Sequence, residues 1–245
     1  MGNILITASH FRTLCQKAIH LLESNGHQVI LNDHELPYYS FEELAVWAPE
    51  IDGAIIGMDQ WNEQVFHIAP KLKILARFGV GVDNIDLEAA KRHGIQVVNA
   101  AGMNANAVAE LAVAMILNCL RGIPELNRKL TDGQWSRAVG RDLLGKTVGL
   151  LGFGDIGGRV AKKLSGFEVR LLAYDPYPNR EKAAALGVTL TDLDTVLTQS
   201  DILSIHMPSI PATRHVMNRE TFAKMKPDSY FINTARGALV DTQAL

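Results

Sequence analysis

The chain has 245 residues, of which 47% are hydrophobic and 20% charged, with a formal net charge of −2. This composition is typical of a folded globular protein and argues against a disordered or fibrous chain. The charge provides no basic field for nucleic acid or an anionic membrane, so a small molecule is the expected partner. Cys15 and Cys119 lie in apolar helical patterns without a metal-ligand spacing, so we expect buried, reduced thiols in a cytoplasmic protein.

Apolar runs of strand length alternate with helical patterns through the first hundred residues. The first run, in MGNILITAS, is short and has no basic segment, so we expect neither a signal peptide nor a membrane anchor there. Strands that alternate with helices predict a parallel sheet covered on both faces. The predicted strands are residues 3–8, 29–31, 53–57, 74–78 and 95–99, and the predicted helices are residues 11–24, 41–47, 63–68 and 87–92.

A glycine-containing stretch, RFGVGVDNID at residues 77–86, follows the fourth predicted strand. Open α/β sheets bind their ligands at the carboxyl ends of their strands, which is where this stretch lies. Gly79 and Gly81 would expose backbone N–H groups around Val80, and such groups form a cradle suited to a carboxylate. The alternative interpretation is an ordinary glycine turn that is capped by the two aspartates of the stretch.

The next segment, NANAVAELAVAMILNCLRG at residues 104–122, predicts a long helix capped by Asn104 or Asn106. Glu110 is its only acidic residue. A helix that is so apolar over this length is expected to be buried on most sides and to lie between two domains.

The most informative stretch is TVGLLGFGDIGGRVAKKLSGFEVRLLAYD at residues 147–175, which predicts a strand, a glycine turn, a helix and a second strand. Gly152 permits the turn, Gly154 allows close approach to a pyrophosphate, and Gly157 lets the helix pack tightly on the strand. The start of the helix offers N–H groups to the anion. The spacing from Gly157 to Asp175 is close to the roughly 20 residues expected before a ribose-binding acid. A dinucleotide site is therefore predicted, against the alternative of a glycine-rich turn in an ordinary α/β unit.

Asp175 bears on the choice between the two nicotinamide dinucleotides. Its carboxylate would accept hydrogen bonds from the adenosine ribose hydroxyls and repel a 2′-phosphate, which favours NAD over NADP. Arg180 lies five residues further on and could reach a phosphate, so NADP stays open as the alternative.

Two later strands also end in polar residues. A guanidinium binds a carboxylate through two parallel hydrogen bonds, so Arg236 is the best candidate for chemistry, with a structural ion pair as the alternative. Histidine titrates in the range of a general base, but we interpret His206 as a wall residue of the site. The predicted elements here are helices at residues 193–199 and 219–225 and strands at residues 202–206 and 230–235.

These segments resemble the D-isomer-specific 2-hydroxyacid dehydrogenases, and within them the phosphoglycerate dehydrogenase-like branch. The resemblance implies an α/β fold of two Rossmann-like or flavodoxin-like domains with parallel sheets. Residues 1–101 would form a flavodoxin-like substrate-binding domain and residues 102–245 an NAD-binding Rossmann domain, with the active site between them and a homodimer formed through the Rossmann domain. The segments that carry the resemblance to this family are RFGVGVDNIDLEAAKRHGI, NANAVAEL, GKTVGLLGFGDIGGRVAKKL, YDPY, DILSIHMP and, most specifically, FINTARGALVD.

The resemblance also implies a reaction and its residues. Hydride would pass between the nicotinamide of NAD and C2 of a small 2-hydroxyacid or 2-oxoacid, while a histidine exchanges a proton with the hydroxyl. Val80 and Gly81 would cradle the substrate carboxylate with Asn104 nearby, and Arg236 would clamp the carboxylate and polarise the carbonyl. The implied cofactor-binding residues are Gly152, Gly154, Asp155, Ile156 and Gly157 at the pyrophosphate, Asp175 at the ribose, and His206, Pro208, Thr213, Thr234 and Ala235 along the adenosine and nicotinamide.

The sequence departs from the family in its acid–base residues. The family's histidine, and the glutamate that raises its pKa, follow the RG segment, whereas this sequence ends at Leu245. Neither His206 nor His215 lies in the family's histidine motif. We therefore expect the C-terminal part of the Rossmann domain to be missing, and the 245-residue polypeptide alone to lack dehydrogenase activity, which hydride transfer by that polypeptide would refute.

A second departure concerns the substrate. Phosphoglycerate enzymes carry an arginine after the third strand to bind the phosphate, whereas this sequence has IGMD at residues 56–59. Asp59 would repel a phosphate group, which predicts that a small or apolar hydroxyacid is at least as good a substrate as 3-phosphoglycerate. A tenfold preference for the phosphorylated acid would contradict this.

Two other functions are compatible with the resemblance. The same fold serves transcriptional corepressors that bind NAD as a signal without turnover, and an exposed apolar patch with a peptide cleft in the first domain would favour that interpretation. A formate dehydrogenase-like enzyme, which does not need a histidine acting on a hydroxyl, is the alternative enzyme.

Overall fold

The computed structural model describes residues 1–32, 38–137 and 139–245. The chain divides into two compact units, Met1–Asn104 and Ala105–Leu245. The boundary predicted from the sequence, after residue 101, falls in the turn that precedes the first helix of the second unit.

The first unit is built from parallel strands connected by helices. Its strands are β1 (Asn3–Ile6), β2 (Gln28–Leu31), β3 (Gly53–Ile56), β4 (Ile74–Arg77) and β5 (Gln96–Asn99), and its helices are α1 (Phe11–Leu14), α2 (Gln16–Ser24), α3 (Phe41–Trp47), α4 (Glu63–His67) and α5 (Leu87–Arg92). The strands lie in the order β2-β1-β3-β4-β5, and all neighbouring pairs are parallel. Successive side chains of a strand point to opposite faces, so Leu5 and Ile6 enter separate cores on the two sides of the sheet.

The second unit repeats this plan with a different strand order. Its helices are α6 (Ala105–Arg121), α7 (Ile123–Thr131), α8 (Asp155–Leu164), α9 (Arg180–Ala185), α10 (Leu193–Gln199) and α11 (Arg219–Lys224), and its strands are β6 (Thr147–Leu151), β7 (Arg170–Tyr174), β8 (Val188–Leu190), β9 (Ile202–Ile205) and β10 (Tyr230–Asn233). The parallel strands lie in the order β10-β9-β6-β7-β8. The direction of the chain across the sheet reverses between β6 and β9, and ligands of open α/β sheets bind at such a reversal.

The predicted α/β fold with two parallel sheets is confirmed. The predicted helix at residues 11–24 is split at Cys15, whose φ of −122° and ψ of 35° are not helical. The strands β1, β3, β4, β9 and β10 end one or two residues earlier than predicted. The sequence reasoning did not identify α7, α9 or β8.

Helix α6 is buried along one side only, which contradicts the prediction that it is buried on most sides. Ala105, Ala109, Ala112, Ile116 and Leu120 form the buried stripe, at the helical spacing of three and four residues. Large apolar side chains on its other side are exposed, and Cys119 is exposed too rather than buried. Within the described residues no single helix is long and apolar enough to cross a membrane. Helices α6 and α7 have the necessary length and composition only when taken together, and they are bent by 68° where they meet.

Candidate active site

The glycine-rich turn joins β6 to α8. Gly152 has a φ of +94°, and a Cβ there would lie 2.8 Å from the backbone of His206, so both conformation and space require glycine. A Cβ on Gly157 would lie 2.2 Å from the carbonyl oxygen of Gly152, because the helix packs directly on the turn. A Cβ on Gly154 would meet nothing within 4 Å, so this side of the turn is open to a ligand.

The amino end of α8 presents backbone N–H groups at this open side. Within the described residues the N–H groups of Gly154, Asp155 and Ile156 have no hydrogen-bond acceptor. The side chain of Asp155 is paired with Arg159, whose Nε donates to Asp155 Oδ1 at 2.9 Å. This pairing offsets the carboxylate charge, so the peptide dipoles of the helix favour an anion at its amino end.

Asp175 follows β7 and contacts the glycine-rich turn directly. Its Oδ2 accepts the N–H of Phe153 at 2.7 Å, and its Oδ1 accepts the N–H of Tyr177 at 2.8 Å. A carboxylate oxygen has two lone pairs, so each oxygen can accept a further hydrogen bond from a ribose hydroxyl. Asp175 therefore stabilises the glycine-rich turn, a role that the sequence pattern did not suggest. It also faces the place where the sequence predicts the ribose.

His206 and Thr234 follow β9 and β10, the two strands on the other side of β6. His206 Nε2 lies 3.0 Å from the hydroxyl oxygen of Ser204, which is fully buried. The Nδ1 atom of His206 and the hydroxyl oxygen of Thr234 are buried without a hydrogen-bond partner in the described structure. Buried polar atoms are normally paired, so these two are available to a polar group that binds at the strand ends.

Burial lowers the pKa of His206 to about 4, from an ordinary value of 6.5. The imidazole is therefore neutral at pH 7 and has no proton to give as an imidazolium. This agrees with the interpretation of His206 as a wall residue rather than a general acid.

Pro208 and Thr213 lie in the loop after β9. Thr213 is 8% exposed, and its hydroxyl donates to the carbonyl oxygen of Pro208 at 2.6 Å and accepts the N–H of Ile210 at 3.0 Å. The hydroxyl thus closes the loop on itself, and Thr213 shapes the wall of the site through the backbone of the loop.

Arg236 follows β10 after Thr234 and Ala235. Asn233 holds this turn, because its Oδ1 accepts the N–H of Ala235 at 2.9 Å and its Nδ2 donates to the carbonyl oxygen of Arg236 at 2.9 Å. The half-buried guanidinium donates through Nη1 to the carbonyl oxygen of Ala235 at 2.9 Å. Sequence reasoning missed Asn233; its signal is an amide at the last position of a strand that leads into a candidate catalytic turn.

Val80 and Gly81 lie in the first unit, in the loop after β4. The carbonyl oxygens of residues 79–81 all accept hydrogen bonds. The carbonyl of Gly79 accepts the N–H of Ala100 at 2.9 Å. The carbonyl of Val80 accepts Nδ2 of Asn99 at 2.7 Å, and that of Gly81 accepts Nε of Arg77 at 3.1 Å. The N–H groups of Val80 and Gly81 take no acceptor within the described chain. The carbonyl groups are thus bound by donors while the amides stay available, which is the arrangement an anion cradle needs.

Asn104 is exposed and is the last residue of the first unit, a few residues along the chain from Asn99. The structure places Val80 and Gly81 in one loop of the first unit and Asn104 at the last residue of that unit, whereas the other predicted site residues lie in the second unit. Arg77 and Asn99 are further residues of the cradle whose contacts the sequence pattern did not reveal.

The argument from Asp59 against a phosphorylated substrate was wrong. Asp59 is fully buried, where it accepts hydrogen bonds from the hydroxyl of Thr7 and, at 3.2 Å, from the N–H of Gly57. Asn84 Nδ2 donates to its carbonyl oxygen at 2.6 Å. A short polar side chain after a strand can turn into the core and satisfy backbone donors, and sequence position alone does not distinguish this from exposure. The exposed side chain here is Met58, at 55%.

The features of the second unit fit a dinucleotide. They are an open glycine turn at a helix amino end, a carboxylate after the adjoining strand, and unpaired buried polar atoms across the sheet reversal. Within the described residues no cluster of potential metal ligands occurs. The fold and this site define a dinucleotide-binding protein of the Rossmann type.

Comparisons with known proteins identify the family. Residues 113–245 match the family described as D-isomer specific 2-hydroxyacid dehydrogenase, NAD binding domain. The chain is 40% identical over 231 residues to a hydroxypyruvate reductase of Thermotoga maritima, and 38% identical over 235 residues to a D-3-phosphoglycerate dehydrogenase of Archaeoglobus fulgidus. These alignments cover 91% and 95% of this chain. The structure of D-lactate dehydrogenase from Aquifex aeolicus with NAD and lactic acid superposes with a TM-score of 0.84 at 27% identity, covering 99% of this chain and 71% of that one.

The chain belongs to the D-isomer specific 2-hydroxyacid dehydrogenase family. It spans 74% of the length of the hydroxypyruvate reductase but only 44% of the phosphoglycerate dehydrogenase. The predicted resemblance, the oxidoreductase class of the family and the NAD-binding character of the second unit are confirmed. The roles of individual residues stay predictions.

Proposed function

We propose that the protein transfers a hydride between NAD and C2 of a D-2-hydroxyacid or its 2-oxoacid. One observation supports this most directly: the glycine turn, Asp175 and Arg236 follow strands of one parallel sheet, at the same edge. A cofactor-binding turn and a carboxylate-binding cation at one sheet edge suit a dehydrogenase that acts on an acid.

The second unit would hold the cofactor. Gly152 and Gly157 shape the turn, the amides at Gly154, Asp155 and Ile156 would bind the pyrophosphate, and Asp175 would bind the adenosine ribose. His206, Pro208, Thr213, Thr234 and Ala235 would form the wall along the adenosine and nicotinamide. When bound, NAD supplies the hydride acceptor at its nicotinamide ring and NADH the donor.

The substrate would be held by its acid group and its reacting carbonyl. In the first unit, the N–H groups of Val80 and Gly81 would bind the carboxylate, with Asn104 near the substrate. In the second unit, Arg236 would pair with the carboxylate and stabilise negative charge that develops on the carbonyl oxygen during hydride transfer. Residues 1–104 are thus proposed as the substrate-binding part and residues 105–245 as the NAD-binding part.

The substrate is proposed only as a class. Hydroxypyruvate and 3-phosphoglycerate give their names to the two relatives described above. The buried Asp59 removes the earlier reason to disfavour a phosphorylated acid. Both kinds of substrate therefore belong in the assay.

We also propose a homodimer that forms through the second unit. Large apolar side chains are exposed along α6, α7 and the segment after them: Leu111 53%, Met115 40%, Ile123 47%, Leu130 65% and Trp135 78%. Exposed large apolar side chains in one part of a chain are typical of an interface, and a second copy of the same chain is the proposed occupant. Sedimentation velocity would show a dimer for the wild type and a monomer for Leu111→Lys. A wild-type monomer would contradict the proposal, and the cytoplasmic location stays a prediction.

The test of the proposed activity separates binding from turnover. Calorimetry should show NAD binding with at least tenfold preference over NADP, because Asp175 repels a 2′-phosphate. The native protein should oxidise NADH with hydroxypyruvate, pyruvate or glyoxylate, or reduce NAD with D-3-phosphoglycerate. Arg236→Gln should lower kcat/KM by at least a hundredfold and leave the NAD Kd within about threefold. Tight NAD binding by the native protein without turnover of any acid would instead favour an NAD-dependent sensor, whereas the 245 residues alone are expected to bind NAD without turnover.

A further inference from the structure

A lysine from α9 crosses over the start of α8. Lys182 Nζ donates to the carbonyl oxygen of Gly154 at 2.7 Å and lies 5.4 Å from the centroid of the Phe153 ring. An ammonium at this distance from an aromatic face is also attracted to the ring. Lys182 therefore makes two contacts with the glycine-rich turn, and it comes from an element that the sequence reasoning did not identify.

The space for this lysine is provided by a glycine outside the dinucleotide pattern. A Cβ on Gly158 would lie 2.1 Å from Cε and 2.2 Å from Nζ of Lys182, and its three nearest atoms all belong to that side chain. Gly158 is buried within α8, where glycine costs helix stability relative to alanine. The position of Lys182 thus accounts for a glycine that the turn itself does not need.

The contact with Gly154 acts on the amide that faces the open side of the turn. The carbonyl oxygen of Gly154 accepts the N–H of Gly158 at 3.1 Å as well as the ammonium of Lys182. The carbonyl of Gly154 and the N–H of Asp155 belong to one planar peptide group and point in opposite directions. Holding the carbonyl toward the lysine therefore holds the Asp155 N–H toward the anion position.

From this geometry we propose that Lys182 is a positioning residue for the pyrophosphate site, and that Gly158 is glycine in order to admit it. The inference rests on the proposed NAD-binding function of this turn. Lys182 acts by fixing the peptide between Gly154 and Asp155, so its effect requires a ligand that carries the pyrophosphate.

The test is a double-mutant cycle on the NAD dissociation constant. Lys182→Ala should weaken NAD binding about five- to tenfold, as expected for the loss of a charge-assisted hydrogen bond. Gly158→Ala should weaken it similarly, because the new methyl group displaces the lysine, while a helix-interior alanine should not lower the melting temperature. The double variant should bind NAD no more weakly than Lys182→Ala alone, since both changes remove the same contact.

Two further ligands and one control variant sharpen the test. ADP-ribose should show the same losses as NAD, whereas adenosine, which lacks phosphate, should bind all variants within twofold of the wild type. Lys162→Ala, which removes an exposed lysine from α8 itself, should bind NAD like the wild type. The loss of NAD affinity in Lys182→Ala should persist in 0.5 M salt, where the Debye length is about 4 Å and long-range electrostatic attraction is screened.

The outcomes are distinct. Additive losses in the double variant, wild-type affinity in Gly158→Ala, or a loss that disappears at high salt would each overturn the positioning role. A wild-type chain that binds no NAD would overturn the proposed function, and this inference with it. Binding by the wild type with unchanged binding by both single variants would overturn this inference alone.

Discussion

Lowering the pH should destabilise the second unit through His206. Burial lowers the pKa of this histidine to about 4, whereas in the unfolded chain it titrates near 6.5. Between these values the unfolded state binds a proton that the folded state does not, so the free energy of unfolding falls as the pH falls from about 6.5 toward 4. The stability is fully present above pH 6.5 and decreases below it.

The magnitude follows from the size of the shift. A difference of about 2.5 pKa units corresponds to about 3 kcal/mol when the titration is complete, and most of this is lost by pH 4.5. The expected contribution of His206 between pH 8 and pH 4.5 is therefore about 2.5 kcal/mol, as an order-of-magnitude figure. A change of this size is large relative to the stability of a typical domain.

The measurement is urea unfolding of the wild type and His206→Asn, followed by circular dichroism from pH 8 to pH 4.5. The wild type should lose about 2.5 kcal/mol more than the variant over this interval. His215→Asn is the matched control, because His215 is exposed in the same unit and its φ of 52° suits asparagine. Equal pH dependence in the wild type and His206→Asn would refute the argument that burial keeps this histidine neutral.

Three further predictions concern the turn and the cradle. Asp175→Ala should weaken NAD binding about tenfold and reduce the preference over NADP, because both the ribose contact and the hydrogen bond to the turn are lost; an unchanged ratio of the two dissociation constants would count against it. Gly152→Ala should lower the free energy of unfolding by at least about 2 kcal/mol, with Gly237→Ala, which meets nothing within 4 Å, as the neutral control. Asn99→Ala should raise the KM for the acid severalfold at an unchanged NAD Kd, and an equal rise in both would indicate general unfolding.

The fold could be predicted from the sequence because its signals are local. Apolar runs between turns located most strands, and the spacing from the glycine turn to Asp175 located the dinucleotide unit. The missed elements α9 and β8 are short, so neither length nor periodicity separates them from loops, whereas the amphipathic spacing of α7 was present in the sequence and was overlooked. Periodicity also failed for α6, because apolar side chains on all sides do not reveal which side packs against the same chain.

The role of a site residue could be predicted only where its residue type has a single structural explanation at that position. Glycine at position 152 is required by conformation, so its role follows from the sequence. Asp59 and Asp175 both follow a buried strand, yet one turns into the core to bind Thr7 while the other binds the turn. The direction of a side chain after a strand depends on which donors the fold places beside it, and those donors come from distant positions in the chain.

The glycine-rich turn is held from both sides by charged groups of the following α/β segment. Asp175 accepts an N–H from the turn and Lys182 donates to a carbonyl of it, so an anion and a cation fix two peptide groups of the same turn. Neither contact can form until β7 and α9 have packed beside β6 and α8. The order of the proposed pyrophosphate site therefore depends on tertiary packing as well as on the glycine pattern, and a glycine pattern taken out of this context would keep its flexibility but lose the arrangement of its amides.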